Sequence, residues 1–114
     1  MDKFAIDILV TELYPGSPCA QRYYLRRVLR FLSDHPEYLS GTATDLCIAM
    51  RGHMPSFRGK PVRHRHIYEV LRQCDRYLTA RGVVPGGTMP MLRTLMSRLP
   101  SDRPSASRPG IPPG

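Results

Sequence analysis

The segment from about Val62 to Arg81 constrains this chain most. Ile67, Val70, Leu71, Cys74 and Leu78 recur at the three- and four-residue steps of one helical face, and Gly82 follows as a stop. At about 100° per residue, Arg65, Glu69, Arg72, Gln73 and Arg76 fall on the opposite side. Such a helix must lay its apolar stripe on a core built by other elements while its charged side stays in water. The pattern predicts helices packed on helices, a mainly helical, all-α fold.

Four further stripes supply the partners. Residues 2 to 14 place Ile6, Leu9, Val10 and Leu13 on one face before Pro15-Gly16. Ser17 as N-cap with Pro18 opens a second helix, whose Tyr24, Leu25, Val28, Leu29 and Leu32 face inward until His35-Pro36 breaks it near Asp34. Ser40 or Thr42 caps a short third helix carrying Ala43, Leu46, Cys47 and Met50, with Gly52 as its stop. Thr88 with Pro90 starts a fifth, with Leu92, Leu95, Met96 and Leu99 as its stripe and Pro100 as its end.

Between these helices the punctuation is dense. Gly52, Pro55, Gly59 and Pro61 mark a basic connection without regular structure, and Val83-Val84 followed by Pro85-Gly86-Gly87 reads as a brief strand with turn chemistry, a minimal β wing over 83–90. A chain of 114 residues is one domain, expected over residues 1–100. From Ser101 the composition turns to Ser, Pro, Gly and Arg with Ile111 as its one large apolar residue, so residues 101–114 are expected to form a flexible tail.

The charge is uneven. Seventeen basic and nine acidic residues give +8, and only Lys3 and Lys60 among the cations are lysines. Residues 51–81 carry +6 and residues 17–33 carry +4, whereas residues 34–50 carry −3. Arginine presents a planar fork of donors suited to phosphates and guanine edges. The second helix contributes Arg22, Arg26, Arg27 and Arg30 with no acid among them. The start, with Asp2 and Asp7 and no unbroken apolar run, does not read as a secretory signal, and no run approaches the roughly 20 apolar residues of a membrane span. Three cysteines without framework spacing, Cys19, Cys47 and Cys74, favour reduced thiols and a cytoplasmic setting.

Leu25 to Leu32 followed by Asp34-His35-Pro36, then Leu39-Ser40-Gly41-Thr42 leading into Ala43-Thr44-Asp45-Leu46, and finally Leu78-Thr79-Ala80-Arg81-Gly82 before Val83-Val84, resemble the winged helix-turn-helix group of DNA-binding regulators. The resemblance covers residues 24–84 and rests on apolar spacing and punctuation. It implies that the fourth helix enters the major groove of duplex DNA, with Arg65, Glu69 and Arg72 toward base edges and Arg76 toward phosphate. Arg58, Lys60 and Arg63 would then anchor phosphates, and so would the arginines of the second helix.

Other classes stay open at this stage. Two cationic ridges also suit a small helical subunit of a nucleoprotein complex, similar to the small subunits of CRISPR effectors, that lines single-stranded DNA or RNA through its backbone, with Tyr23, Tyr38, Phe57 or Tyr68 as stacking platforms. Either reading is compatible with a homo-oligomer. An inhibitor or adaptor would instead dock through the fifth helix, where Met91 and Met96 offer adaptable apolar contact. His53, His64 and His66 lack the spacing of a structural zinc site. Neither a Ser-His-Asp arrangement, a carboxylate pair nor a phosphate-cradling glycine loop is written in the chain, so no metal, cofactor or catalysis is expected.

Overall fold

The computed structural model of the protein describes residues 3–15, 20–57 and 59–99. Five helices form it: α1 (Lys3–Leu13), α2 (Ala20–Asp34), α3 (Ala43–His53), α4 (His64–Ala80) and α5 (Thr88–Arg98). A short 3₁₀ helix, Pro36–Ser40, joins α2 to α3, and two-residue strands β1 (Ser56–Phe57) and β2 (Lys60–Pro61) lie between α3 and α4. The fold is mainly helical. Ser17-Pro18, Cys19, Arg58 and the expected tail over 101–114 lie outside the described residues.

The inward stripes account for the packing. α2 and α4 lie together at the centre, α1 covers α2, α3 packs along α4, and α5 rests against both central helices. Leu25, Val28, Leu29 and Leu32 of α2 meet Ile67, Leu71, Cys74 and Leu78 of α4 in one core that also takes Ile6, Leu46, Met50 and Leu92. Among the described residues no polar or charged side chain belongs to that core. Burial of apolar area therefore carries the stability, and all the charge is left at the periphery. No helix of the described residues is long and apolar enough to cross a membrane.

Local chemistry sets the boundaries. Thr42 is the N-cap of α3, its Oγ1 accepting the Asp45 N–H at 3.1 Å. Gly52 does not stop that helix. Met50 and Met54, one turn apart and both buried, tie the last turn to the core, so α3 runs through Gly52 to His53 and closes with the Met54 N–H on the Met50 carbonyl at 2.8 Å. At the end of α4, Gly82 takes φ +72°, donates to the Thr79 carbonyl at 3.0 Å, and leaves Val83 to donate to Leu78 at 2.9 Å. That pair of bonds is a Schellman cap, and the left-handed φ is why glycine stands there.

The β structure is not where the sequence suggested. Residues 52–61 were expected to be irregular, yet Ser56 pairs with Pro61 and Phe57 with Lys60 in an antiparallel pair of strands, with Gly59 at φ +78° between them. A Val62 N–H to Pro55 carbonyl bond at 2.9 Å closes its open end. The wing over 83–90 does not form: residues 81–87 are turns and bends, and α5 has begun by Thr88. The backbone groups a strand would need are engaged elsewhere. The Val83 carbonyl accepts from Arg98 at 2.8 Å, the Pro85 carbonyl accepts from the Thr79 hydroxyl, and the Gly87 N–H donates to the Asp75 carboxylate at 3.1 Å.

Candidate nucleic-acid interface

α4 presents three longitudinal sides. One faces α1 and α2, where His66 meets Tyr24 edge-on, Gln73 accepts from Gln21, and Tyr77 stacks on Tyr14 with centroids 4.5 Å apart. Another faces the α5 connection through Asp75 and Thr79. Between them Arg65, Glu69 and Arg76 are exposed and Arg72 is partly so, four of the five residues that helical periodicity put on the outward stripe; the fifth, Gln73, is exposed but bonded to Gln21 of α2. Arg72 lies 3.5 Å from Glu69 and 5.9 Å from the ring centroid of exposed Tyr68, so the middle of the stripe is an internally balanced pair on the open surface. Exposed pairs of this kind are worth little and rearrange at small cost.

The N-terminal end of α4 differs. An open cleft of about 650 Å³ is lined by Arg51, Pro61, Val62, Arg63, His64 and Arg65. α3 delivers Arg51 from its last turn, β2 delivers Pro61, the link into α4 delivers Val62 and the N-cap Arg63, and the first turn of α4 delivers His64 and Arg65. Arg51, Lys60, Arg63 and Arg65 are exposed, and among the described residues none lies within 4.0 Å of a carboxylate. Arg63 is the N-cap and gives no side-chain cap bond, and the first turn of α4 holds no acid. The first-turn N–H groups of α4 and its positive dipole end therefore add to the guanidinium charges. Like charges gathered without a counter-charge are costly for the free protein and are relieved by a polyanion.

Next to this cleft lies an aromatic corner. Buried Tyr24 carries Phe57 of the hairpin at 5.6 Å on one side and His66 of α4 at 5.3 Å on another, while Tyr23 leans on Phe57 at 4.5 Å. Burial first, and then neighbouring Tyr23, raises the Tyr24 phenol above its usual value, so it stays neutral at physiological pH. Tyr23 and Phe57 are half-buried. Of the other two proposed platforms, Tyr68 is exposed on α4 and Tyr38 packs on Phe31 at 5.3 Å at the opposite end of α2.

The four arginines of α2 are half-buried, in contrast to those of the cleft. Asp7 of α1 explains two of them. Its Oδ1 sits 3.0 Å from Arg30 Nη2 and 3.8 Å from Arg26 Nε. Asp7, Tyr23, Arg26, Arg27 and Arg30 line one shallow depression. This ridge is thus partly neutralised by a residue distant in sequence, and part of its charge holds α1 to α2.

Three basic side chains of the cleft and its corner are absent from the set of contacts expected from the sequence: Arg51, His64 and His66. The signal for Arg51 was present, because it opens the basic stretch, but only the fold brings the end of α3 beside the start of α4. His53 meets Phe31 at 5.5 Å, well apart in contacts from His66 on Tyr24. Among the described residues no group of three potential metal ligands forms. Cys47 and Cys74 are buried, and burial pushes the Cys47 thiol up to about 12, which makes it a packing residue and a poor nucleophile. Arg58 lies outside the described residues. No protein-family model matches this chain, and comparisons with curated proteins and with solved structures give no match.

Proposed function

We propose that the protein binds nucleic acid in the cytoplasm without catalysing a reaction, and that its preferred target is duplex DNA met by α4 in the manner of a helix-turn-helix regulator. The observation that carries this reading is the cation cluster of Arg51, Arg63 and Arg65 in the cleft at the open end of α4, with Lys60 on the adjoining hairpin and, among the described residues, no carboxylate on any of them. Its charge continues along the exposed stripe of the same helix. Arg51, Lys60 and Arg63 act as phosphate anchors, and Arg65, Glu69 and Arg72 stand where base edges would be read, arginine to guanine and glutamate to cytosine. On DNA the Glu69–Arg72 pair opens, each member exchanging its partner for a base.

The test is equilibrium binding to duplex DNA, single-stranded DNA and RNA at several salt concentrations. Affinity should fall steeply with salt, and Lys60→Ala should weaken every sequence alike, lowering the log–log salt slope by about one. Arg65→Ala and Arg72→Ala should each cost about 1–3 kcal/mol on preferred sequences and relax the preference itself. Equal losses on all sequences from all three changes would reject base readout and favour a subunit that follows a strand by its backbone. That second reading has one observation of its own, the half-buried Tyr23–Phe57 pair beside the cations. Salt-insensitive or absent binding to all three nucleic acids would reject the proposal as a whole.

A further inference from the structure

The hairpin and the start of α4 frame a second pocket, whose aromatic interior the phosphate-anchor reading does not use. It holds about 320 Å³ and is lined by Tyr24, Phe57, Lys60, Pro61, Val62, Arg63 and His66. Tyr24, 1% exposed, forms its floor. Phe57 and His66 rest on Tyr24 from the hairpin and from α4, with centroids 5.6 and 5.3 Å away. Pro61 and Val62 complete an apolar wall. Lys60 and Arg63 are exposed at the rim, and among the described residues no acid lines the space.

Flat aromatic and apolar walls under a cationic rim match one class of ligand closely: a planar heterocycle attached to a phosphate. The pocket is open and shares Pro61, Val62 and Arg63 with the neighbouring cation cleft. A phosphate held by Arg63 therefore sits at the junction of the two spaces. From that junction one base can enter the aromatic pocket while the next phosphate continues toward Arg51 and Arg65.

We infer that this pocket takes a single unpaired base of a bound strand, stacked against Phe57 and His66 with its phosphate on Lys60 and Arg63. The inference rests on the nucleic-acid reading and sharpens it. α4 would meet DNA beside a bulged, flipped or single-stranded nucleotide, and the hairpin between α3 and α4, which a minimal helix-turn-helix lacks, supplies the base-holding wall. Stacking is tolerant of base identity, because each base has a π face.

The test uses a short DNA duplex with one bulged 2-aminopurine, the same duplex fully paired, and the single strand, each also in RNA form. Binding of the bulged duplex should change the 2-aminopurine emission and be roughly tenfold tighter than binding of the paired duplex, the order of one base–aromatic stack. An abasic bulge should lose that advantage. Phe57→Ala and His66→Ala should each remove the preference and the emission change while leaving salt-dependent binding of paired duplex intact. Phe57→Leu, which keeps the apolar packing of the hairpin, should do the same and so separates stacking from misfolding. Salt-dependent binding with no preference for the unpaired base and no emission change in any probe overturns the inference and leaves nucleic-acid binding standing. Absence of salt-dependent binding to every probe overturns both.

Discussion

The two arginine-rich regions have similar composition and opposite fates. On α2, Arg22, Arg26, Arg27 and Arg30 are half-buried, and Arg26 and Arg30 converge on Asp7 of the covering helix. Around the start of α4, Arg51, Lys60, Arg63 and Arg65 are exposed and, among the described residues, meet no carboxylate. The first set spends charge and aliphatic stem on joining two helices. The second keeps its charge unspent at a helix N-terminus. Local charge density is therefore a poor guide to a binding surface until the counter-charges are located, and only the α4 region passes that criterion.

The largest effect that would break this comparison comes from matched triple substitutions. Replacing Arg51, Arg63 and Arg65 by alanine should cost at least about 3 kcal/mol of nucleic-acid affinity, since charge-assisted contacts are worth about 1.5–3 kcal/mol each. The log–log salt slope should flatten by about one per lost phosphate contact. Thermal stability should hardly move, because these side chains leave no buried partner behind. Replacing Arg26, Arg27 and Arg30 should do the reverse, lowering the melting temperature with little change in salt slope. Calorimetry and a salt titration on both proteins decide it, and an α2 triple that removes the salt dependence would transfer the interface to the ridge.

How much of this was legible in the sequence follows from which contacts are local. The inward and outward faces of α4 were readable because they depend on 100° steps within one helix, and Arg65, Glu69, Arg72 and Arg76 stand where those steps put them. The Thr42 cap was readable for the same reason. The hairpin was not, since two-residue strands carry no alternating pattern and Gly59 and Pro61 read equally well as loop. The wing over 83–90 was an over-reading of Val83-Val84, whose backbone is claimed by the α4 cap and by Arg98. Least legible was the division between the cationic regions. Asp7 lies 23 positions from Arg30, and helix periodicity says nothing about which helix will cover which.

A medium-sized effect tests the core that both regions share. Cys47 packs at 0% exposure, and burial holds its thiol at about 12 against an ordinary value of 9.0. Tyr24 is raised from its ordinary 10.0 by the same cause. Both groups bind their protons more tightly when folded. The stabilisation is fully present below the unfolded values and is lost as pH rises from about 9 toward 12, because the unfolded chain ionises first. Stability should drop by on the order of 1 kcal/mol between pH 7 and pH 10 from the thiol alone. Cys47→Ala, less stable at neutral pH, should show a shallower alkaline loss in denaturant titrations. An unchanged pH dependence would mean that the α3–α4 seam admits water and that the start of α4 is not rigidly seated.

The smallest effect is the most discriminating, because it touches only the counter-charge. Asp7→Asn keeps the size of the side chain and removes the anion that faces Arg26 and Arg30. The pairs are partly exposed, 45% on the Asp7 side and 25% and 32% on the arginine sides, so solvent screens them and the loss should be no more than about 1 kcal/mol. For a domain of this size that is a fall in melting temperature of at most about 4–8 °C. If the ridge only fastens α1 to α2, affinity for duplex DNA at physiological ionic strength should be unchanged, because the two released guanidiniums then take no part in the contact. A rise in affinity and a steeper salt slope would show that Asp7 masks cations able to reach phosphate. α1 would then act as a cover over a second contact surface, and the distinction between the two arginine sets would become one of accessibility instead of role.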